Sequence, residues 1–268
     1  MGTAADHVTI RDRHVSVPGG DLFVREWRPH DVPASGTPLI LLHDSLGCVE
    51  LWRDLPAQLA HAVNRPVLAY DRLGFGKSSA RHAPPSVDFI NEEADVYFPA
   101  VREALGLTTY ALFGHSVGGG MSLAIAAAAP AWCEQVISES AQAFVEARTL
   151  DGIRLAKTQF ADPAQFAKLA RWHDDKARWV LEAWTDTWTS PAFTHWSLDP
   201  YLAKVHCPVL VIHGDRDEYG SLAFPRRIAH GVRGVSQLAI IEGCGHVPHR
   251  EQPTHVLSLI TAALTGPR

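Results

Sequence analysis

Short runs of consecutive apolar residues recur along the chain, separated by longer stretches in which apolar positions return every three or four residues. That is the rhythm of buried strands joined by amphipathic helices. The first two strand-like runs, His14-Val-Ser-Val17 and Asp21 to Trp27, flank Pro18-Gly-Gly20. Glycine supplies the dihedrals of a tight turn, so this segment predicts an antiparallel hairpin. Pro38 to His43, Pro66 to Asp71 and Thr109 to Gly114 are apolar throughout and end in polar or glycine-bearing turns, as buried parallel strands do. Gln135 to Glu139, Pro208 to His213 and Gln237 to Ile241 read the same way and bring the expected sheet to eight strands. Helical spacing covers Leu51 to Ala62, Asn91 to Leu105, Met121 to Ala129 and Thr254 to Leu264.

The rhythm breaks between Ala141 and Val205, where the pattern is helical and carries Trp172, Trp179, Trp184, Trp188 and Trp196. The expectation is an α/β core built from residues 1–140 and 206–268, with a helical cap inserted as residues 141–205. No internal repeat or low-complexity linker divides the chain. At helical spacing most of the five indoles should pack cap against core, leaving one or two to line a pocket.

Composition narrows the function classes. With 46% hydrophobic and 20% charged residues over 268 positions, the chain can bury a large core. A net charge of −5 provides no field that would gather nucleic acid or an anionic membrane. The apolar run Ile125 to Trp132 is too short to cross a bilayer, and Met1 to Asp12 lacks the features of a secretion signal, so the expected location is cytoplasmic. Cys48, Cys133, Cys207 and Cys244 are scattered without a C-x-x-C pair and are expected to be reduced and buried. The fifteen histidines mostly stand singly and suggest structural or surface roles; no metal or organic cofactor is expected. Asp71-Arg-Leu-Gly-Phe-Gly-Lys-Ser78 lacks the first glycine of a phosphate-binding loop and reads as a structural turn.

Candidate chemistry begins at Gly114-His-Ser-Val-Gly118. A G-x-S-x-G match arises by chance in roughly one chain in ten of this size, given ordinary glycine and serine frequencies. Here it follows a predicted strand and opens a predicted helix, which is the context a nucleophile elbow requires. A serine hydroxyl needs a base to take its proton. His246, in the glycine-bearing turn Gly243 to Pro248, is the first candidate, and His249 is the runner-up, read as an exposed helix-terminal residue. The turn after the Pro208 strand offers Asp215, Asp217 and Glu218 to orient the imidazole, and Asp217 is preferred. In the plainer readings Asp215 shapes the turn or pairs with Arg216, and Glu218 is solvated. Glu139, at the end of the strand before the cap, is an alternative acid.

Through Gly114-His-Ser-Val-Gly118, His213-Gly-Asp-Arg-Asp217 and Gly245-His246, in the order Ser, Asp, His, the chain resembles the alpha/beta hydrolases over nearly its whole length. The resemblance implies an alpha/beta-hydrolase fold, with a mostly parallel eight-stranded sheet, helices on both faces and an inserted cap. It also implies an oxyanion hole from the backbone N–H groups of Ser45 and Val117. In the matching stretch His43-Asp-Ser-Leu-Gly47, Asp44 departs from the family's H-G pattern. A carboxylate pointing at an oxyanion would repel it, so Asp44 is expected to turn away and bond its own loop, with His43 as a structural partner.

The implied activity is acyl transfer to water from a small or medium carboxylic ester, the chain acting on a small-molecule substrate. A lactone, thioester or carbon–carbon substrate is the alternative on the same triad. Haloperoxidase-like or hydroxynitrile lyase chemistry and a small-molecule receptor keeping the hydrolase shell are the further rivals.

Overall fold

The computed structural model describes residues 7–30 and 36–266, so the first half of the stretch Met1 to Asp12, read above for a secretion signal, lies outside the described residues. Eight strands form one sheet in the order β1-β2-β4-β3-β5-β6-β7-β8. They are β1 Val8–Val17, β2 Gly20–Pro29, β3 Leu39–Leu42, β4 Val67–Tyr70, β5 Tyr110–His115, β6 Cys133–Glu139, β7 Val209–Gly214 and β8 Ser236–Ile241. The hairpin β1/β2 and the β2/β4 pair are antiparallel; every other pair is parallel. The first strand starts six residues earlier than the sequence pattern indicates, because its middle is exposed and carries no apolar alternation.

Side chains alternate across the sheet, as the period of two demands. Leu39, Leu41, Ala111 and Phe113 face α1 (Leu55–Val63) and α11 (Pro253–Thr265), whereas Ile40, Leu42, Leu112 and Val136 face the opposite layer. That layer holds α2 (Phe89–Glu92), α3 (Phe98–Ala104), α4 (Val117–Ala128) and α9 (Ala223–Gly231). Helices on both faces thus bury two cores against one sheet.

The helix expected over Asn91 to Leu105 is interrupted by a π segment, Glu93–Tyr97, immediately before α3. Pro99 lacks the N–H that would continue the ladder, which accounts for the break. The stretch expected as helix from Leu51 is a 3-10 turn, Val49–Trp52, before α1 begins. α9 was not marked by the pattern, because its buried stripe is narrow: Phe224, Pro225 and Ile228.

Between β6 and β7 the chain leaves the sheet and forms α5 (Ala147–Gln159), α6 (Pro163–His173), α7 (Ala177–Thr189) and α8 (Asp199–Leu202). The parallel strands start at β3, step to β4 on one side, then to β5 on the other. The crevice beyond the carboxyl ends of β3 and β5 is therefore a topological switch point, where open α/β sheets place their ligands.

Candidate active site

Ser116 stands at that switch point, between the end of β5 and the start of α4. Its backbone is at φ 55° and ψ −125°, a conformation a non-glycine residue adopts only when its surroundings hold it. The glycines on either side allow it. A Cβ on Gly114 would lie 2.0 Å from the Gly118 carbonyl oxygen, and one on Gly118 would lie 2.1 Å from the Leu42 carbonyl oxygen. No other residue fits this close passage of strand and helix. The Ser116 N–H donates to the Glu139 carbonyl at 2.8 Å, which anchors the turn to β6.

The structure brings Ser116, His246 and Asp217 together. Ser116 Oγ is 3.0 Å from His246 Nε2, and His246 Nδ1 is 2.9 Å from both oxygens of Asp217. A carboxylate can only accept, so Nδ1 carries the proton and Nε2 is free to take one from the serine. Burial alone would raise the Asp217 carboxyl, but the hydrogen bond and charge of His246, then His213 and the Tyr219 N–H, hold it below its ordinary value. Asp217 is thus an anion with its lone pairs already engaged.

Asp215 is exposed in the same turn, and its N–H donates to the Ile241 carbonyl. Glu218 is not simply solvated, because its Oε2 accepts the His246 N–H at 3.2 Å. Glu251 accepts the N–H groups of Gly245 and Val247, so two carboxylates brace the loop that carries His246.

His249 is buried rather than exposed, which corrects the expectation from its position at a helix end. The four-residue α10 (Pro248–Glu251) turns it inward, where Nδ1 donates to Glu139 Oε2 at 2.5 Å. Its ring packs against Trp52 and Phe113. His115 Nε2 lies 2.8 Å from the His246 carbonyl and donates to it. Side-chain atoms of His115, Glu139 and His249 of a kind that can ligate a metal lie within 4.8 Å of one another; His115 Nε2 is taken by the His246 carbonyl and His249 Nδ1 by Glu139 Oε2, while Glu139 Oε1 has no hydrogen-bond partner among the described residues.

Asp44 does bond its own loop: Oδ1 accepts the Leu46 N–H at 2.8 Å, while Oδ2 lies 3.4 Å from His115 Nδ1. Burial opposes the charged form of His115, but Asp44 and Glu139 outweigh it and raise its pKa above the ordinary value. His43 is buried and bonded to the backbone, as a structural partner would be. Asp71 accepts from the N–H groups of Val49 and Lys77, which accounts for its segment as a turn.

A cavity of about 200 Å³ opens over Ser116, with Ser45, His246, Leu46, Ile153, Trp184 and Trp188 in its wall. Two of the five tryptophans line it, and Trp179 lines a neighbouring cavity instead. Gln142 was missed by sequence reasoning; it is buried in the same wall, and its Nε2 is 3.4 Å from Ser116 Oγ. It follows β6 with no motif around it, so only the fold could reveal it. Three of the four cysteines are buried, Cys207 is partly exposed, and all are free thiols. Among the described residues no helix is long and apolar enough to cross a membrane.

A family model described as alpha/beta hydrolase fold matches residues 37–253. N-formylmaleamate deformylase of Pseudomonas putida is 27% identical over 251 residues, covering 86% of this chain and 90% of that one. The 1-acylglycerol-3-phosphate O-acyltransferase ABHD5 of Homo sapiens is 41% identical over 92 residues, 33% of this chain, and the match spans only 25% of its length. Among solved structures, a serine hydrolase from Cycloclasticus zankles superposes with a TM-score of 0.77 at 20% identity, covering 96% of this chain and 99% of that one. Proline iminopeptidase of Mycobacterium smegmatis gives 0.75 at 21%, covering 95% and 97%. At these identities the structures show a common fold.

Proposed function

Because this chain belongs to the alpha/beta hydrolase fold family, we propose that it is a serine hydrolase that cleaves small or medium carboxylic esters through an acyl-enzyme at Ser116. The observation that carries the reading is the line of contacts from Ser116 Oγ through His246 to Asp217. Ser116 Oγ attacks the scissile carbonyl carbon as its proton passes to His246 Nε2. The carbonyl oxygen becomes an oxyanion held by the N–H groups of Ser45 and Val117, the latter at the positive end of α4. As the tetrahedral centre collapses, the alcohol leaves with the proton from His246. Water, deprotonated by the same imidazole, then releases the acid and restores Ser116. Every proton is carried by the chain itself, so the scheme calls for no cofactor.

In this reading residues 141–205 form a cap, and residues 1–140 and 206–268 form the catalytic core. The cap's Ile153, Trp184 and Trp188 give the cavity an apolar wall suited to a substrate with a hydrophobic portion. The full-length similarity to a deformylase favours one second substrate type, an N-formyl amide, whose carbonyl would meet the same groups.

The test is hydrolysis of p-nitrophenyl esters from acetate through longer acyl chains, with an N-formyl amide alongside, by the intact protein and by Ser116→Ala. We expect turnover that disappears in the variant and peaks at short or medium chains. Activity surviving in Ser116→Ala would remove the nucleophile assignment. An intact protein inert toward every ester but active on the amide would move the substrate class.

A further inference from the structure

Arg72 is buried after β4, and among the described residues no carboxylate lies within ion-pairing distance of it. The carboxylates of the buried Glu93 and of Asp44 act on it only from beyond contact range, and an interior charge without a direct ion pair is costly, so its contacts need a reason. Its Nη2 donates to the Asp44 carbonyl at 2.8 Å, its face packs 4.4 Å from the Phe75 ring centroid, and its own N–H donates to His43 Nε2 at 3.1 Å. That last bond fixes the histidine tautomer. Nε2 accepts, so Nδ1 carries the hydrogen and donates to the same Asp44 carbonyl at 2.8 Å. Burial, then the neighbouring Arg72 charge, hold His43 well below its ordinary pKa, in keeping with that neutral form. The Gly47 N–H approaches the same oxygen at 3.2 Å.

Three donors, one cationic, therefore converge on one peptide oxygen. The other end of that peptide is the Ser45 N–H. We propose that Arg72 is a positioning residue for the oxyanion hole, gripping the Asp44–Ser45 peptide by its carbonyl so that the Ser45 N–H is aimed and strengthened as a donor. This rests on the reading of Ser116 as nucleophile and Ser45 as oxyanion donor. The physical basis is amide resonance: hydrogen bonds at the oxygen increase the C–N double-bond character and leave the N–H more positive. The peptide also cannot rotate its N–H away without breaking the grip at its other end. The arrangement answers the departure at Asp44. This loop carries a carboxylate close to where negative charge would develop, and the guanidinium places a compensating cation on the same residue's carbonyl.

The experiment uses reactions at Ser116 that need no knowledge of the natural substrate. Phosphonylation by a fluorophosphonate, followed by intact mass, develops charge on an oxygen seated in the oxyanion hole. A trifluoromethyl ketone forms a tetrahedral adduct with the same demand, whereas the matching carbinol fills the cavity without it. In Arg72→Met we expect phosphonylation and ketone affinity to fall roughly 10- to 100-fold, somewhat less than deletion of a donor, with carbinol affinity unchanged. Arg72→Lys should recover much of the loss. Arg72→Gln, which can still fill the space and donate without charge, serves where Arg72→Met does not fold and should also lose ketone affinity selectively. Ketone and carbinol affinities falling together would mean a merely structural role and overturn the proposal, as would wild-type phosphonylation rates in a folded Arg72→Met or Arg72→Gln. A wild-type protein unreactive at Ser116 would instead overturn the nucleophile reading on which the proposal stands.

Discussion

Asp217 and Glu139 are both buried carboxylates bonded to the Nδ1 of a histidine, and what separates them is where each imidazole points next. His246 turns its Nε2 to Ser116, whereas the His249 ring is wedged against Trp52 and Phe113. In the proposed mechanism only the first pair reaches the nucleophile, so only it would carry the proton. Asp217→Asn should therefore lower kcat roughly 1,000- to 10,000-fold with KM little changed, since the amide would favour the wrong imidazole tautomer. Glu139→Gln should leave kcat within about tenfold and appear instead as lost stability, because it strips a buried pair of one charge. Steady-state kinetics of the two folded variants checks both, and a catalytic collapse in Glu139→Gln would restore it as the acid. At this scale the sequence was readable where a residue sits in a glycine-bearing turn after a strand, as Ser116, Asp217 and His246 do. It was silent on Gln142 and pointed the wrong way on His249, whose partners Trp52, Phe113 and Glu139 all lie more than a hundred residues from the histidine in the chain.

At the level of elements, strands fully buried on both faces were legible because an unbroken apolar run has few other uses, as at Leu39–Leu42 and Tyr110–His115. The outer part of β1 was not, since an exposed edge strand needs no apolar alternation. The turn after β4 shows how an element junction can store a pH dependence. Burial raises the Asp71 carboxyl from 3.8 to about 6, although the N–H groups of Lys77 and Val49 pull it back. Between those values the folded chain retains a proton that the unfolded chain has released. The stabilisation linked to this group is then fully present below about pH 4 and lost as pH rises through about 6. A shift of this size corresponds to roughly 3 kcal/mol. Urea unfolding of wild type and Asp71→Asn from pH 4 to 7 isolates the effect, because other groups titrate alike in both. The variant's stability should gain on wild type by up to that amount as pH rises; parallel profiles would show that Asp71 titrates normally.

Across the whole molecule, the helical excursion between β6 and β7 meets the sheet at the loops that frame the candidate site. His173, at the end of α6, accepts the Gly76 N–H on Nδ1 at 2.9 Å and donates from Nε2 to the Leu46 carbonyl at 3.0 Å. Lys176 adds bonds to the carbonyls of Gly76 and Ser78, and Trp179 adds one to that of Ala83. His173 thus links the excursion to the loop beside Ser45 and to the turn after β4 at once. Its removal leaves the buried Gly76 N–H unpaired, at a cost of about 1–3 kcal/mol, and frees the partly buried Leu46 carbonyl at a smaller one. If the excursion opens as a unit of its own, His173→Ala should lower hydrogen-exchange protection in α6 and α7 by roughly 10- to 100-fold, while α1 and α11 keep theirs. A uniform loss across all four helices would mean instead that sheet and excursion unfold together, so that access to Ser116 could not be gated by their separation.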